Sequence, residues 1–189
     1  ATPERLRELP VLYLPGAAII EEREARLLDD YVKAGGRLLA TGVTGMYDRM
    51  GNPSPRCALE ETLGIKQAKL DTESPVHYVS LPASLAGGGG TFLLDGIPLD
   101  WPILTWGPAV AVEPGEAKAF GDAIASVRTP PNNWASHMSP GERIGPAVLL
   151  HERGKGMAAW ITASIDAGFV AKYRVPEHRN LIANLVRRL

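Results

Sequence analysis

Residues 9–41 constrain this chain more than any other stretch. There, two short apolar runs flank a segment of helical period, with very short connections. The run Leu9-Pro-Val-Leu-Tyr-Leu-Pro15, closed by Gly16, is apolar on both faces and predicts a buried strand. Residues 20–34 place Leu27, Leu28, Tyr31 and Val32 on one helical stripe. Glu21, Glu22 and Glu24 lie where the positive end of a helix favours acid, and Gly35-Gly36 supplies the stop. Arg37–Thr41 predicts a second buried strand, ended by Gly42. A strand, a helix and a strand joined this tightly form a βαβ unit, with parallel strands and a right-handed crossover. Strands apolar on both faces suit the interior of a parallel sheet.

The rest of the chain divides in two. A loop, Val43–Arg56, follows the second strand at its carboxyl end, where open α/β sheets bind ligands. A short helix is expected over Cys57–Leu63, with Gly64 as its stop. From Ile65 to about Ser139 no helix-length period is present; Val76–Leu81, Phe92–Leu94, Ala109–Val112 and Ala123–Val127 are expected as short strands between Pro and Gly breaks. Order returns with Pro146–His151 and Met157–Thr162, a hairpin closed by Glu152–Gly156, and with a last helix starting at Pro176, a favoured first helical residue. The expectation is one α/β domain over residues 1–189. Its core is 1–65 and 140–189, with an antiparallel β-rich insertion at about 66–139. The chain opens at Ala1 without an initiator Met and is expected to be part of a longer protein.

Composition narrows the function classes. Lys and Arg total 20 against 21 Asp and Glu, a balance that predicts neither a nucleic-acid groove nor an anionic membrane surface. With 45% apolar residues a core can form. The one cysteine, Cys57, leaves no internal disulfide and no multi-cysteine zinc site. No apolar run is long enough for a membrane span and no secretory signal is legible, so a cytoplasmic location is expected.

Motifs that would carry chemistry are weak. A strand-to-helix elbow would present Ser or Cys after the second strand, but Gly42 and Val43 stand there. Gly154-Lys-Gly156-Met-Ala-Ala159 has the spacing of a dinucleotide loop but is followed by a strand, so a hairpin turn is the better reading. His77, His137, His151 and His178 have no metal-ligand spacing. No catalytic residue, metal or cofactor is therefore expected. Cys57 reads first as a small buried hydrophobe and second as a displaced nucleophile. Tyr47, Asp48 and Arg49 on the carboxyl-end loop, with Trp134 and His137 in the Pro130–His137 loop, are the candidate ligand contacts. Tyr47 and Trp134 would serve a carbohydrate-binding module. Trp101 and Trp106 are candidates for an interface, where Trp is enriched.

Leu12-Tyr-Leu-Pro-Gly-Ala-Ala18, then Tyr31-Val-Lys-Ala-Gly-Gly-Arg-Leu-Leu-Ala-Thr-Gly42, resembles class I glutamine-amidotransferase-like domains. Tyr47-Asp48, Gly51, Arg56, Leu59 to Leu63-Gly64 and the Gly154-Lys-Gly156, strand and terminal-helix ending extend the likeness. In pattern the chain is similar to the trimerisation domain of family 42 β-galactosidases and related glycoside hydrolases. The resemblance covers about residues 1–65 and 145–189. It implies a flavodoxin-like parallel sheet flanked by helices, without a working nucleophile. It also implies a preceding catalytic barrel as partner and a homo-oligomer, with a trimer the form the family name suggests. Family members carry a further strand and helix before the Leu12 strand; these are absent here.

Overall fold

The computed structural model describes residues 2–74, 76–127, 138–166 and 175–189. Helix α1 (Pro3–Arg7) begins on Thr2, whose hydroxyl accepts from Arg5 N, and it buries Leu6. Strand β1 (Leu12–Leu14) is short because Pro10 and Pro15 bracket it. Helix α2 (Glu22–Lys33) starts where the Glu24 carboxylate accepts from Glu21 N at 3.0 Å, and it turns Leu28, Tyr31 and Val32 inward. Strand β2 (Arg37–Thr41) has the bounds its sequence predicts. Helix α3 (Glu60–Leu63) is one turn, stopped by Gly64 at φ 64°. Strands β3 (Ile65–Asp71), β4 (Val76–Ser80), β5 (Ile103–Trp106), β6 (Ala109–Pro114), β7 (Lys118–Ser126), β8 (Pro140–Arg153) and β9 (Gly156–Ile161) follow, and α4 (Pro176–Arg188) comes last.

These elements build an α/β fold on a mixed sheet. The main sheet has seven strands in the order β1-β2-β9-β8-β7-β4-β5, and β3 and β6 pair as a separate two-stranded ribbon. Pairing is parallel only from β1 to β2 and from β2 to β9. From β9 outward every pair is antiparallel. The expected flavodoxin-like parallel sheet is found only over β1, β2 and β9; the predicted β8–β9 hairpin and the middle strands, expected as an antiparallel insertion, extend that same sheet, so the sheet is mixed. Strands β4, β5 and β7 from the middle of the chain continue the same sheet by hydrogen bonds to β8 and to one another.

Alternate residues of the central strands enter two cores. Leu38, Ala40, Ala158 and Trp160 face α1, α2, α3 and the β3–β6 ribbon. Leu39, Val148, Ala159 and Ile161 face Leu181 and Leu185 of α4 and the segment around Leu93 and Ile97. This two-sided burial is what the unbroken apolar runs recorded. Phe92–Leu94 is not a strand: Thr91–Leu93 is a 3-10 turn, with Phe92 edge-on to Phe120. Strands β3 and β5 and helix α1 were not expected.

The Gly154-Lys155-Gly156 turn is held against the end of α2. Lys155 N donates to Lys33 O at 3.0 Å. A Cβ on Gly156 would stand 2.2 Å from both Val32 O and Gly36 O. The glycines therefore serve a close backbone approach, not a phosphate. Gly156→Ala is expected to destabilise the fold by about 3 kcal/mol, read as a lowered urea midpoint, because two backbone oxygens must move. Gly51→Ala, with open space around its Cβ but φ at 81°, is expected to cost about 1 kcal/mol. Equal losses in the two variants would contradict this packing.

Candidate functional site

The carboxyl ends of β1, β2 and β9 meet at the turn after Thr41. Thr41 itself is fully buried at the end of β2. Its hydroxyl donates to the Asp166 carboxylate and accepts from Gly16 N at 3.2 Å. The Tyr13 hydroxyl donates to the other Asp166 oxygen. Three chain segments are thus tied through one carboxylate. Burial pushes the Tyr13 phenol up, and the hydrogen bond to Asp166 and its charge add to this, so Tyr13 remains a proton donor at ordinary pH.

The turn that follows is closed. Gly42 has φ 54°, and a Cβ there would stand 2.9 Å from Ser164 Oγ and 3.1 Å from Ser164 Cα. A side chain has no room at Gly42. Its carbonyl accepts from Trp160 Nε1 at 3.1 Å. The nearby hydroxyls are committed to the scaffold: Thr44 donates to Thr41 O at 2.7 Å, and Ser164 donates to Pro108 O. None of these hydroxyls is bonded to an imidazole. Asp166 and Tyr13 were missed in the sequence because Asp166 lies 125 residues from Thr41 and no local pattern marks it.

Tyr47, Asp48 and Arg49 come together on one loop beside the segment after β1. Tyr47 is half-buried, bridges to Ile19 and Pro53, and its backbone N donates to Ala18 O at 3.0 Å. Asp48 forms the turn itself: its Oδ1 accepts from Met50 N at 2.8 Å and Asn52 N at 2.9 Å, and its Oδ2 from Asn52 Nδ2 at 3.2 Å. These bonds, led by the one from the Asn52 backbone, hold the Asp48 carboxyl below its ordinary value. Arg49 is exposed. Trp134 and His137 lie outside the described residues.

Cys57 is buried, with its thiol 3.7 Å from Thr44 O. Burial pushes its pKa up to about 12. The described histidines bond elsewhere. His77 contacts Gly107 O and Asp71, His151 contacts Thr62 O and Glu116, and His178 Nε2 donates to Leu104 O at 2.7 Å. Burial holds His178 below its ordinary value. Among the described residues no three His, Cys, Asp or Glu side chains gather as a metal site requires. No helix among them is long and apolar enough to cross a membrane.

No protein-family model matches the sequence, and no curated protein does. Solved structures do match in fold. The cold-adapted β-galactosidase from Rahnella sp. R3 superposes with a TM-score of 0.61 at 16% identity, over 96% of this chain and 23% of that one. The α-L-fucosidase isoenzyme 2 from Paenibacillus thiaminolyticus gives 0.66 at 18% identity, over 95% of this chain and 24% of that one. Cytoplasmic protein STM3548 from Salmonella typhimurium gives 0.63 at 14% identity, over 100% of this chain and 74% of that one. The chain thus spans about a quarter of the glycoside hydrolases it resembles, as a small domain would.

With its pKa pushed up to about 12 by burial, the Cys57 thiol stays protonated and unreactive at pH 8. Iodoacetamide is expected to label it only after denaturation. Native labelling at the rate of a free cysteine would restore the displaced-nucleophile reading.

Proposed function

We propose that this chain is an accessory domain without catalytic machinery of its own, belonging to a glycoside hydrolase of the β-galactosidase kind. In this reading it derives from an amidotransferase-like fold and assembles copies of the enzyme, as a trimer, beside a preceding catalytic barrel. The observation that carries the reading is the closed turn at Gly42, where Ser164 fills the space a nucleophile would need. The structural likeness to a quarter of several glycoside hydrolases supports it. A cytoplasmic setting fits the single buried thiol and one structural neighbour that is named a cytoplasmic protein.

The surface we assign to assembly lies beside β1, an edge strand of the sheet. Ile19 is 46% exposed and Met50 76% exposed, on segments joined by the Ile19–Tyr47 bridge. Apolar side chains this open on adjoining loops are favoured at contacts between proteins. In this arrangement Tyr47 and Arg49 border the contact, and the parent enzyme's sugar specificity resides in the barrel.

Light scattering on the full-length protein is expected to give an oligomer that persists down to about micromolar concentration, as an interface of standard size allows. The double variant Ile19→Asp, Met50→Asp is expected to dissociate it while leaving the unfolding midpoint nearly unchanged. A monomeric wild-type protein at about 50 µM, where such an interface would be saturated, would refute the assembly role.

A further inference from the structure

Two of the clefts on the described surface carry charges that differ in kind. One, of about 430 Å³, lies between α2 and α3. Its charges are satisfied internally: Arg26 pairs with Glu22, Arg56 with Glu60, and Asp29 with Lys33 and Arg153. It makes no demand on a ligand. The other, of about 320 Å³, lies where β7, β8 and β9 meet the Gly87–Gly90 loop and the end of α4. Phe92 and Phe120 form its apolar wall, edge to face at 5.6 Å, together with Leu150 and Met157. Lys118 Nζ sits 5.3 Å from the Phe120 ring centroid and the Arg188 guanidinium 5.7 Å from that of Phe92. Among the described residues neither cation forms an ion pair.

We propose that this second cleft binds a small ring-bearing monocarboxylate. The ring would lie on Phe92 and Phe120, and the carboxylate would reach Lys118 and Arg188. Each part of the ligand meets a need of the cleft. The part of the apolar wall that water still reaches, the half-buried Phe92 ring among it, gains from excluding water. The two cations gain a charge-assisted partner that none of the described residues supplies. Glu116 and Glu152 stand on the same lining, Glu116 within 3.4 Å of the buried His151 Nε2. They repel negative charge from that side, so they orient a monoanion and disfavour a dianion. The glycine run also finds a use. Gly89 has φ 78°, and a Cβ there would press within 3.2 Å of Lys118 Nζ, so the loop leaves the ammonium free to move onto a ligand. This proposal stands independently of the accessory-domain reading.

The test is calorimetry on the intact protein with three probes: benzoate, benzyl alcohol and inorganic phosphate. Benzoate is expected to bind at least about tenfold tighter than either of the others, because only it offers both ring and single charge. Lys118→Met and Arg188→Gln are each expected to weaken benzoate about tenfold. Both residues are exposed, so the thermal midpoint should hold. Glu152→Gln is expected to tighten benzoate. Absence of benzoate binding, binding no tighter than benzyl alcohol, or binding unchanged in both cation variants would each overturn the proposal.

Discussion

The structure depends on one pair of strands being buried on both faces. β2 and β9 lie side by side, parallel, with Leu38, Leu39, Ala40, Ala159, Trp160 and Ile161 almost wholly withdrawn from water. Burial of this kind stabilises a fold by roughly 25 cal/mol per Å² of apolar surface. Both layers exist because of it. The alternation along β2 and β9 hands Leu38 and Trp160 to the side of α2, and Leu39 and Ile161 to the side of α4. A helix against only one face would leave the other exposed. The close approach of Gly156 to Val32 and Gly36 locks the register of β9 to the end of α2.

Each of these two strands was legible in the sequence, though not their pairing, and the reason is local. Arg37–Thr41 and Met157–Thr162 are short, apolar and bounded by glycine, and α2 carries its stripe and its stop within a dozen residues. What could not be read is whatever depends on partners far along the chain. β3 is a largely polar segment and β5 only four residues long, and their strand character comes from pairing with β6 and β4. Phe92–Leu94 looks strand-like by composition, yet its neighbours are Gly90 and the Phe120 ring, which favour a turn. The mixed sheet was missed for a related reason. A βαβ start implies a parallel neighbour but says nothing about strands added later by hairpins. The candidate site divides the same way. Tyr47, Asp48 and Arg49 share a loop that sequence alone can place. Asp166 enters only through contacts across most of the chain.

The turn at Gly42 shows how steric and electronic causes coincide. A sequence with glycine at an elbow lacks a nucleophile by composition. The structure adds that none fits, because Ser164 occupies the space and is itself bonded to Pro108. The hydroxyl of the preceding residue, Thr41, is tied to a carboxylate, not to an imidazole. The same carboxylate accepts from Tyr13 through its other oxygen, so both of its oxygens are engaged in holding strands together. The arrangement therefore works as a clasp between β1, β2 and the segment after β9.

The distribution of ion pairs separates framework from opportunity. Asp29 gathers Arg153, Lys33 and Thr62, joining α2, α3 and the β8–β9 hairpin. Burial alone would raise its carboxyl, but the bonds from Arg153 and Lys33 outweigh that and hold it below the ordinary value. Such a carboxylate is stabilised by the fold and helps the fold in return, above the pH at which it protonates. Lys118 and Arg188 are the reverse. Each rests on an aromatic ring, which attracts a cation less strongly than a carboxylate does when water is excluded. A cation that no described residue neutralises, held at the mouth of an apolar cleft, is available to a ligand in a way that Arg153 is not.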